Sequence, residues 1–197
     1  MNAETNRNKT LKYVIWLLFS VPALFTFVRY LIDRISYGQV IHETGDWSVA
    51  FLGATLAATP FIRLWPKAGW TTWLMRHRRA LGVASFGYAA FHTVAYLERK
   101  WGYGYILEEA QQPGILTGWI ALAIFVVLAV TSNNYSLRML KRSWQKLHRL
   151  VYPAAALVFA HWILTAFEPL TAYVTLGAFC AVESMRFLKR RAPSSLS

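Results

Sequence analysis

Residues 80–97 read ALGVASFGYAAFHTVAYL, and residues 149–167 read RLVYPAAALVFAHWILTAF. Both are apolar runs close to the roughly 20 residues an α-helix needs to cross ~30 Å of hydrocarbon. Each holds one histidine, His92 in the first and His161 in the second. An ionisable side chain at membrane depth is costly, so it comes with a partner and a role. Working outward, four more stretches approach spanning length, at 13–32, 47–64, 113–132 and 169–188. The pattern predicts an all-α integral membrane protein, a single domain over 1–197 built as a six-transmembrane-helix bundle. The second span is the weakest. Arg63 closes a short apolar run that Trp47 and Trp65 bracket as interfacial anchors. Arg29 and Glu183 lie near span ends, where their charged heads are expected to snorkel to the interface.

The connections alternate in charge. Arg63 to Arg79 carries Lys67, Arg76 and Arg78 between its ends and no acid, and Asn133 to Arg149 carries Arg138, Lys141, Arg142 and Lys146, again with no acid. The N-terminal tail has Arg7, Lys9 and Lys12, and the C-terminal tail has Arg186, Lys189, Arg190 and Arg191. Of the other connections, Arg29 to Asp46 holds two basic residues and the acids Asp33, Glu43 and Asp46, Glu98 to Gln112 holds two basic residues and Glu98, Glu108 and Glu109, and the last holds only Glu168. Basic segments stay in the cytoplasm, which places both termini inside. The net charge of +12 is therefore a topology signal, and nucleic-acid binding is set aside because no basic surface stands apart from the membrane flanks. Tyr13–Ile32 is too long for a signal-peptide core and has no A-x-A-like site after it, so it is expected to stay as the first span.

The single cysteine, Cys180, excludes a disulfide within the chain and a thiolate zinc site, and without C-x-x-C-H there is no covalent c-type haem attachment. No G-x-G-x-x-G follows a strand pattern, so no nicotinamide-binding domain is expected. The sequence shows no internal repeat.

The third and fifth spans run in the same direction. His92 lies thirteen residues after Arg79, and His161 thirteen residues after His148, both counted from the inner boundary. At 1.5 Å per residue each is ~20 Å above that boundary. Equal depth on two helices suits one metal ion held between them, with haem iron the candidate, and two imidazoles would leave no open position for oxygen. The alternative is that each histidine hydrogen-bonds a neighbouring helix. Ser85, Tyr88, Ala89, Ala95 and Tyr96 share the face of His92 by helical spacing. His148 points about 140° away from His161 on a straight helix, and Pro153 between them is a candidate kink that re-aims it. His148 is read either as a second haem ligand or flavin or quinone contact, or as an interfacial histidine. His77 and His42 are expected to be solvated. Arg78, Arg79, Lys146 and Arg149 sit near the inner headgroups, where a forked guanidinium can hold a propionate, a flavin phosphate or a quinone head.

Several motifs carry a family resemblance. Arg78-Arg79-Ala-Leu-Gly, then Phe86-Gly-Tyr-Ala-Ala-Phe-His92, then Tyr96, resembles the third span of the ferric-reductase-like transmembrane family. Leu128-Ala-Val-Thr-Ser132 and Trp144-Gln-Lys-Leu-His148-Arg-Leu-Val-Tyr152 followed by His161 match it as well. Length, spans and the lack of a dehydrogenase domain make the chain similar to one branch, the haem-binding membrane subunits of bacterial periplasmic methionine-sulfoxide reductase systems.

The resemblance implies a multi-pass protein of the bacterial inner membrane that carries electrons through haem b from the quinone pool. Its partner would be a periplasmic molybdopterin-containing subunit that reduces oxidised methionine in proteins, and FMN is a further implied cofactor. It implies cofactor binding by His92, His148, His161, Arg78, Arg79 and Arg149, with the three histidines as metal ligands. The wider family has two histidines on each of the third and fifth spans, and here the inner one on the third is missing unless His77 serves. A stand-alone ferric or flavin-linked reductase, a proton-coupled transporter using His92 and His161 as a relay, and a structural anchor remain as other readings. The acidic connection 98–112, with Gly102-Tyr-Gly-Tyr105 in it, is the expected partner-docking loop.

Overall fold

The computed structural model describes residues 2–101 and 106–187. The chain is helical along almost all of that length: α1 Asn2–Leu31, α2 Tyr37–Leu64, α3 Gly69–Trp101, α4 Ile106–Ala110, α5 Pro113–Val130, α6 Asn134–Leu140, α7 Arg142–His148, α8 Val151–Thr165 and α9 Leu170–Ser184, then a 3₁₀ turn Met185–Phe187. Among the described residues, five stretches are long and apolar enough to cross a membrane: Thr10–Leu31, α2, α3, α5 and Arg142–Thr165. The sixth expected span, 169–188, falls short of that length, since α9 has 15 residues before it tightens into the 3₁₀ turn. Basic tail residues Lys189, Arg190 and Arg191 lie outside the described residues.

Local signals set the boundaries. Ser36 opens α2 with a capping box: its hydroxyl accepts from Gln39 N at 3.3 Å, and Gln39 Oε1 accepts from Ser36 N at 2.8 Å. This starts α2 ten residues before the expected 47. Likewise α3 begins at Gly69, so much of the basic 63–79 connection is helix extending beyond the apolar run. Pro113 heads α5, where a missing N–H costs nothing. The expected kink at Pro153 is instead a break at Arg149–Leu150 between α7 and α8, with Pro153 in the first turn of α8. Lys141, at φ 46, forms the corner between α6 and α7.

Two antiparallel hairpins, α2/α3 and α5/α8, are the most extensively packed pairs. The first is clasped in its middle by Ser48 and Ser85, each hydroxyl donating to the other residue's carbonyl, at 3.0 and 2.9 Å. Small residues there let the backbones approach closely. Leu52 and Leu56 of α2, Phe125 of α5, and Ala154 and Ala155 of α8 form the apolar cluster joining the hairpins.

α1 lies outside, with Leu17, Leu18, Leu24 and Phe25 exposed. It is tied on by Tyr88 of α3, whose hydroxyl accepts from Ala23 N at 2.9 Å and donates to Phe19 O at 2.8 Å. Those two groups would be each other's partners in an unbroken helix, and the insertion sits beside Pro22. Arg29 does not simply snorkel: it meets Glu43 at 2.8 Å, and Thr26 donates to the other carboxylate oxygen at 2.7 Å. Glu183 likewise pairs with Arg186 at 2.6 Å, and Arg186 reaches Leu56 O at 3.0 Å and the hydroxyl of Tyr152.

Candidate functional site

His92 comes from α3 of the first hairpin and His161 from α8 of the second, and their rings meet with centres 6.1 Å apart and planes at 89°. Each is held by the partner helix of its own hairpin. His92 Nδ1 lies 2.8 Å from the carbonyl oxygen of Ile41 on α2, and His161 Nδ1 lies 2.7 Å from that of Gly114 on α5. A carbonyl only accepts, so both Nδ1 atoms carry the proton. Nε2 of each ring makes no hydrogen bond among the described residues and is left with its lone pair. A backbone carbonyl on one nitrogen, with the other free, is the arrangement in which histidine ligates metals. Two imidazoles bound at about 2 Å to one metal ion have ring centres about 6 Å apart. The observed spacing matches.

The pair opens into a cavity of about 650 Å³ between the hairpins, whose lining includes Ala89, Tyr96, Gly118, Trp119, Phe125 and Val158. That volume is in the range of cofactor sites, and apolar walls with few polar groups are their usual character. Trp119 Nε1 is buried without a hydrogen-bond partner among the described residues. Of the residues expected on the His92 face, Ala89 and Tyr96 line the cavity. Tyr88 and Ser85 turn instead to α1 and α2, where their hydroxyls are used.

Tyr96 donates to Glu109 Oε2 at 2.9 Å, and Lys100 meets Glu109 Oε1 at 2.6 Å, which latches the short α4 onto α3. The ammonium of Lys100, and then the Tyr96 hydroxyl, hold the Glu109 carboxyl below the usual carboxylate range. Glu109 is thus a structural tie, leaving Glu98 and Glu108 as the freer acids of the 98–112 connection. Gly102-Tyr-Gly-Tyr105 lies outside the described residues.

His148 does not join the pair. It ends α7, its ring stacks on Trp144 at 3.8 Å, and its Nε2 lies 3.1 Å from Thr131 Oγ1. Thr131 gives its own proton to Val127 O at 2.7 Å, so it accepts from His148. The nitrogen engaged is the opposite one from that in His92 and His161. No group of three or more His, Cys, Asp or Glu is arranged to hold one metal among the described residues.

Arg78 and Arg79 bring positive charge to bear on His148. Arg78 Nε donates to Thr55 O at 3.0 Å, and Arg79 to Asn134 Oδ1 at 2.8 Å. These residues form a second polar group, apart from the cavity of the pair. Arg149 sits at the break after α7. His77 lies tilted against Trp73 and is bonded to its carbonyl at 2.8 Å, and His42 pairs with Asp46 at 3.5 Å; neither touches the pair directly.

A family model, the ferric reductase like transmembrane component, matches residues 44–159, which contain α3, His92 and the Gly114 carbonyl but stop short of Ile41 and His161. The chain belongs to the ferric-reductase-like transmembrane family. Relatives match over more of its length. The protein-methionine-sulfoxide reductase heme-binding subunit MsrQ of Brucella anthropi is 36% identical over 175 residues, 83% of this chain and 77% of that protein. The subunit of the same name from Brucella ovis is 37% identical over 173 residues, 82% of this chain and 76% of that protein. No solved structure matches. Membership of a transmembrane family agrees with the five spanning helices in making this a multi-pass membrane protein.

Sequence reasoning missed the two carbonyl acceptors and the glycines beside the rings. A carbonyl has no residue-type signature, and only the choice of glycine at 45 and 118 hinted at a close approach to the rings.

Proposed function

We propose that the protein is an electron-transfer subunit in which His92 and His161 would together hold one b-type haem. The observation that carries this is the 6.1 Å ring spacing together with Nδ1 held by a carbonyl and Nε2 free in both rings. When bound, the haem would supply one-electron oxidation and reduction. The chain's own residues do the rest. Ile41 O and Gly114 O fix the tautomer and raise the basicity of the ligating nitrogens. Ala89, Phe125 and Val158 keep the surroundings apolar. The fixed Nδ1 protons weigh against a proton relay, which needs both ring nitrogens free to exchange.

The likeness to heme-binding subunits of protein-methionine-sulfoxide reductase supports delivery of the electrons to such a reductase; in this reading that partner is periplasmic and carries molybdopterin, and the electrons enter from the quinone pool of the bacterial inner membrane. With the basic connections inside, both termini are cytoplasmic and the histidine pair lies toward the outer side. His148, Arg78, Arg79 and Arg149 then stand on the entry side, where a cation-lined group suits a quinone head, FMN phosphate or a second haem.

The test is an absorption spectrum of the detergent-purified protein expressed with haem supply. A reducible low-spin Soret band is expected, and NADH alone should not reduce it. A colourless, folded protein sinks the reading.

A further inference from the structure

Ile41 and Gly45 are one helical turn apart on α2, and Gly114 and Gly118 are one turn apart on α5. In each hairpin the first residue's carbonyl takes the histidine's Nδ1–H and the glycine faces the same ring. A Cβ on Gly118 would lie 2.8 Å from His161 Nδ1 and 3.0 Å from its Cε1, closer than real Cβ atoms approach. A Cβ on Gly45 would lie 3.3 Å from His92 Nδ1. The ring atom met first is the hydrogen-bonding nitrogen itself. The ring of His161 therefore cannot yield to a methyl group on Gly118 without losing its carbonyl, whereas the ring of His92 need give only a few tenths of an ångström to one on Gly45. By contrast, a Cβ on Gly53 of α2 or Gly87 of α3 meets nothing within 4 Å. Glycine inside a helix is unfavourable relative to alanine, so a glycine facing open space gains from the exchange while one facing a ring loses.

We propose that Gly45 and Gly118 are positioning residues for the histidine pair, each leaving the space in which the facing imidazole keeps its Nδ1 on the backbone and its Nε2 toward the shared centre. The inference rests on the reading of that pair as haem ligands. The two hairpins are unequal: the contact at Gly118 is the tighter, so His161 is the more sharply set of the two rings.

The experiment compares Gly118→Ala and Gly45→Ala with Gly53→Ala and Gly87→Ala in the full-length, detergent-purified protein. Helix content by circular dichroism checks folding. Gly118→Ala is expected to lose most of the low-spin haem signal, and Gly45→Ala to keep its haem with a shifted low-spin electron paramagnetic resonance signal. Gly53→Ala and Gly87→Ala should match the wild type. In haem-free protein, ¹⁵N shifts of the imidazoles should show the Nδ1–H form at both histidines, lost only at His161 in Gly118→Ala. If Gly118→Ala does not fold, the milder Gly45→Ala decides, by the shift at His92. Wild-type signals in both variants, or equal changes in the Gly53 and Gly87 variants, overturn the proposal. A wild-type protein that binds no haem overturns the haem reading, while the ring-nitrogen shifts still decide the role of the glycines.

Discussion

The imidazoles of His92 and His161 meet with ring planes at 89°, each carried by a different helix hairpin and each pinned through Nδ1 to that hairpin's other helix. The perpendicular planes make a specific spectroscopic statement. As ligands of one low-spin ferric haem, the pair should give the strongly anisotropic resonance of crossed imidazoles rather than that of parallel ones. Replacing either histidine by alanine should abolish most of that signal while the protein still inserts. Full haem retention in both variants would count against the assignment.

His148 separates from this pair in space and in which nitrogen it uses. His148→Ala should therefore leave the His92–His161 resonance in place. Its effect should fall on the entry side, as slower reduction by a quinol or loss of a second chromophore. Disappearance of the crossed-imidazole signal in this variant would contradict the separation.

Tyr88→Phe tests how α1 is held. Losing the hydroxyl leaves Ala23 N and Phe19 O without the oxygen that bridges them next to Pro22. A loss of about 1–2 kcal/mol is expected, since membrane hydrogen bonds sit at the low end of the usual range. Hydrogen exchange should rise around residues 19–23 and leave the α5/α8 hairpin unchanged. Exchange unchanged at 19–23 would show that the bridge contributes nothing.

Glu109 provides a pH dependence with a definite sign. Lys100 and Tyr96 lower its folded pKa, so the latch on α4 is fully stabilising above the unfolded carboxylate value and is lost as pH falls through the lowered folded value. The protection factors of the Ile106–Ala110 amides, corrected for the intrinsic exchange rate, should fall on acidification in the wild type. In Glu109→Gln that protection should be low throughout and flat with pH. A flat wild-type profile would remove the latch.

The helical membrane architecture was legible because apolar runs near spanning length leave few alternatives. Counting thirteen residues from Arg79 to His92 and from His148 to His161 was enough to bring the two rings to one depth, and the structure puts them in contact. The count worked because helix rise is uniform, whereas facing directions followed less well. Tyr88 shares the face of His92 by spacing but is drawn to α1 by the opening in that helix at Pro22. The early start of α2 had a visible signal in Ser36-x-x-Gln39, overshadowed by polar His42, Glu43 and Asp46 in what proved to be helix. The sequence carries no internal repeat, yet the hairpins supply matching halves of a site. That likeness resides in a carbonyl and a missing Cβ, which need little shared sequence.

The two-hairpin construction also orders events during synthesis. When α3 has been made, His92 can already be pinned by Ile41, but it faces no second imidazole until α8 has left the ribosome and entered the bilayer. Any group that needs both rings is consequently loaded late, after the second hairpin docks on the first. Its retention then reports that the halves have assembled correctly. A chain interrupted between α3 and α5 would carry two competent half-sites whose reunion could be followed by the return of colour.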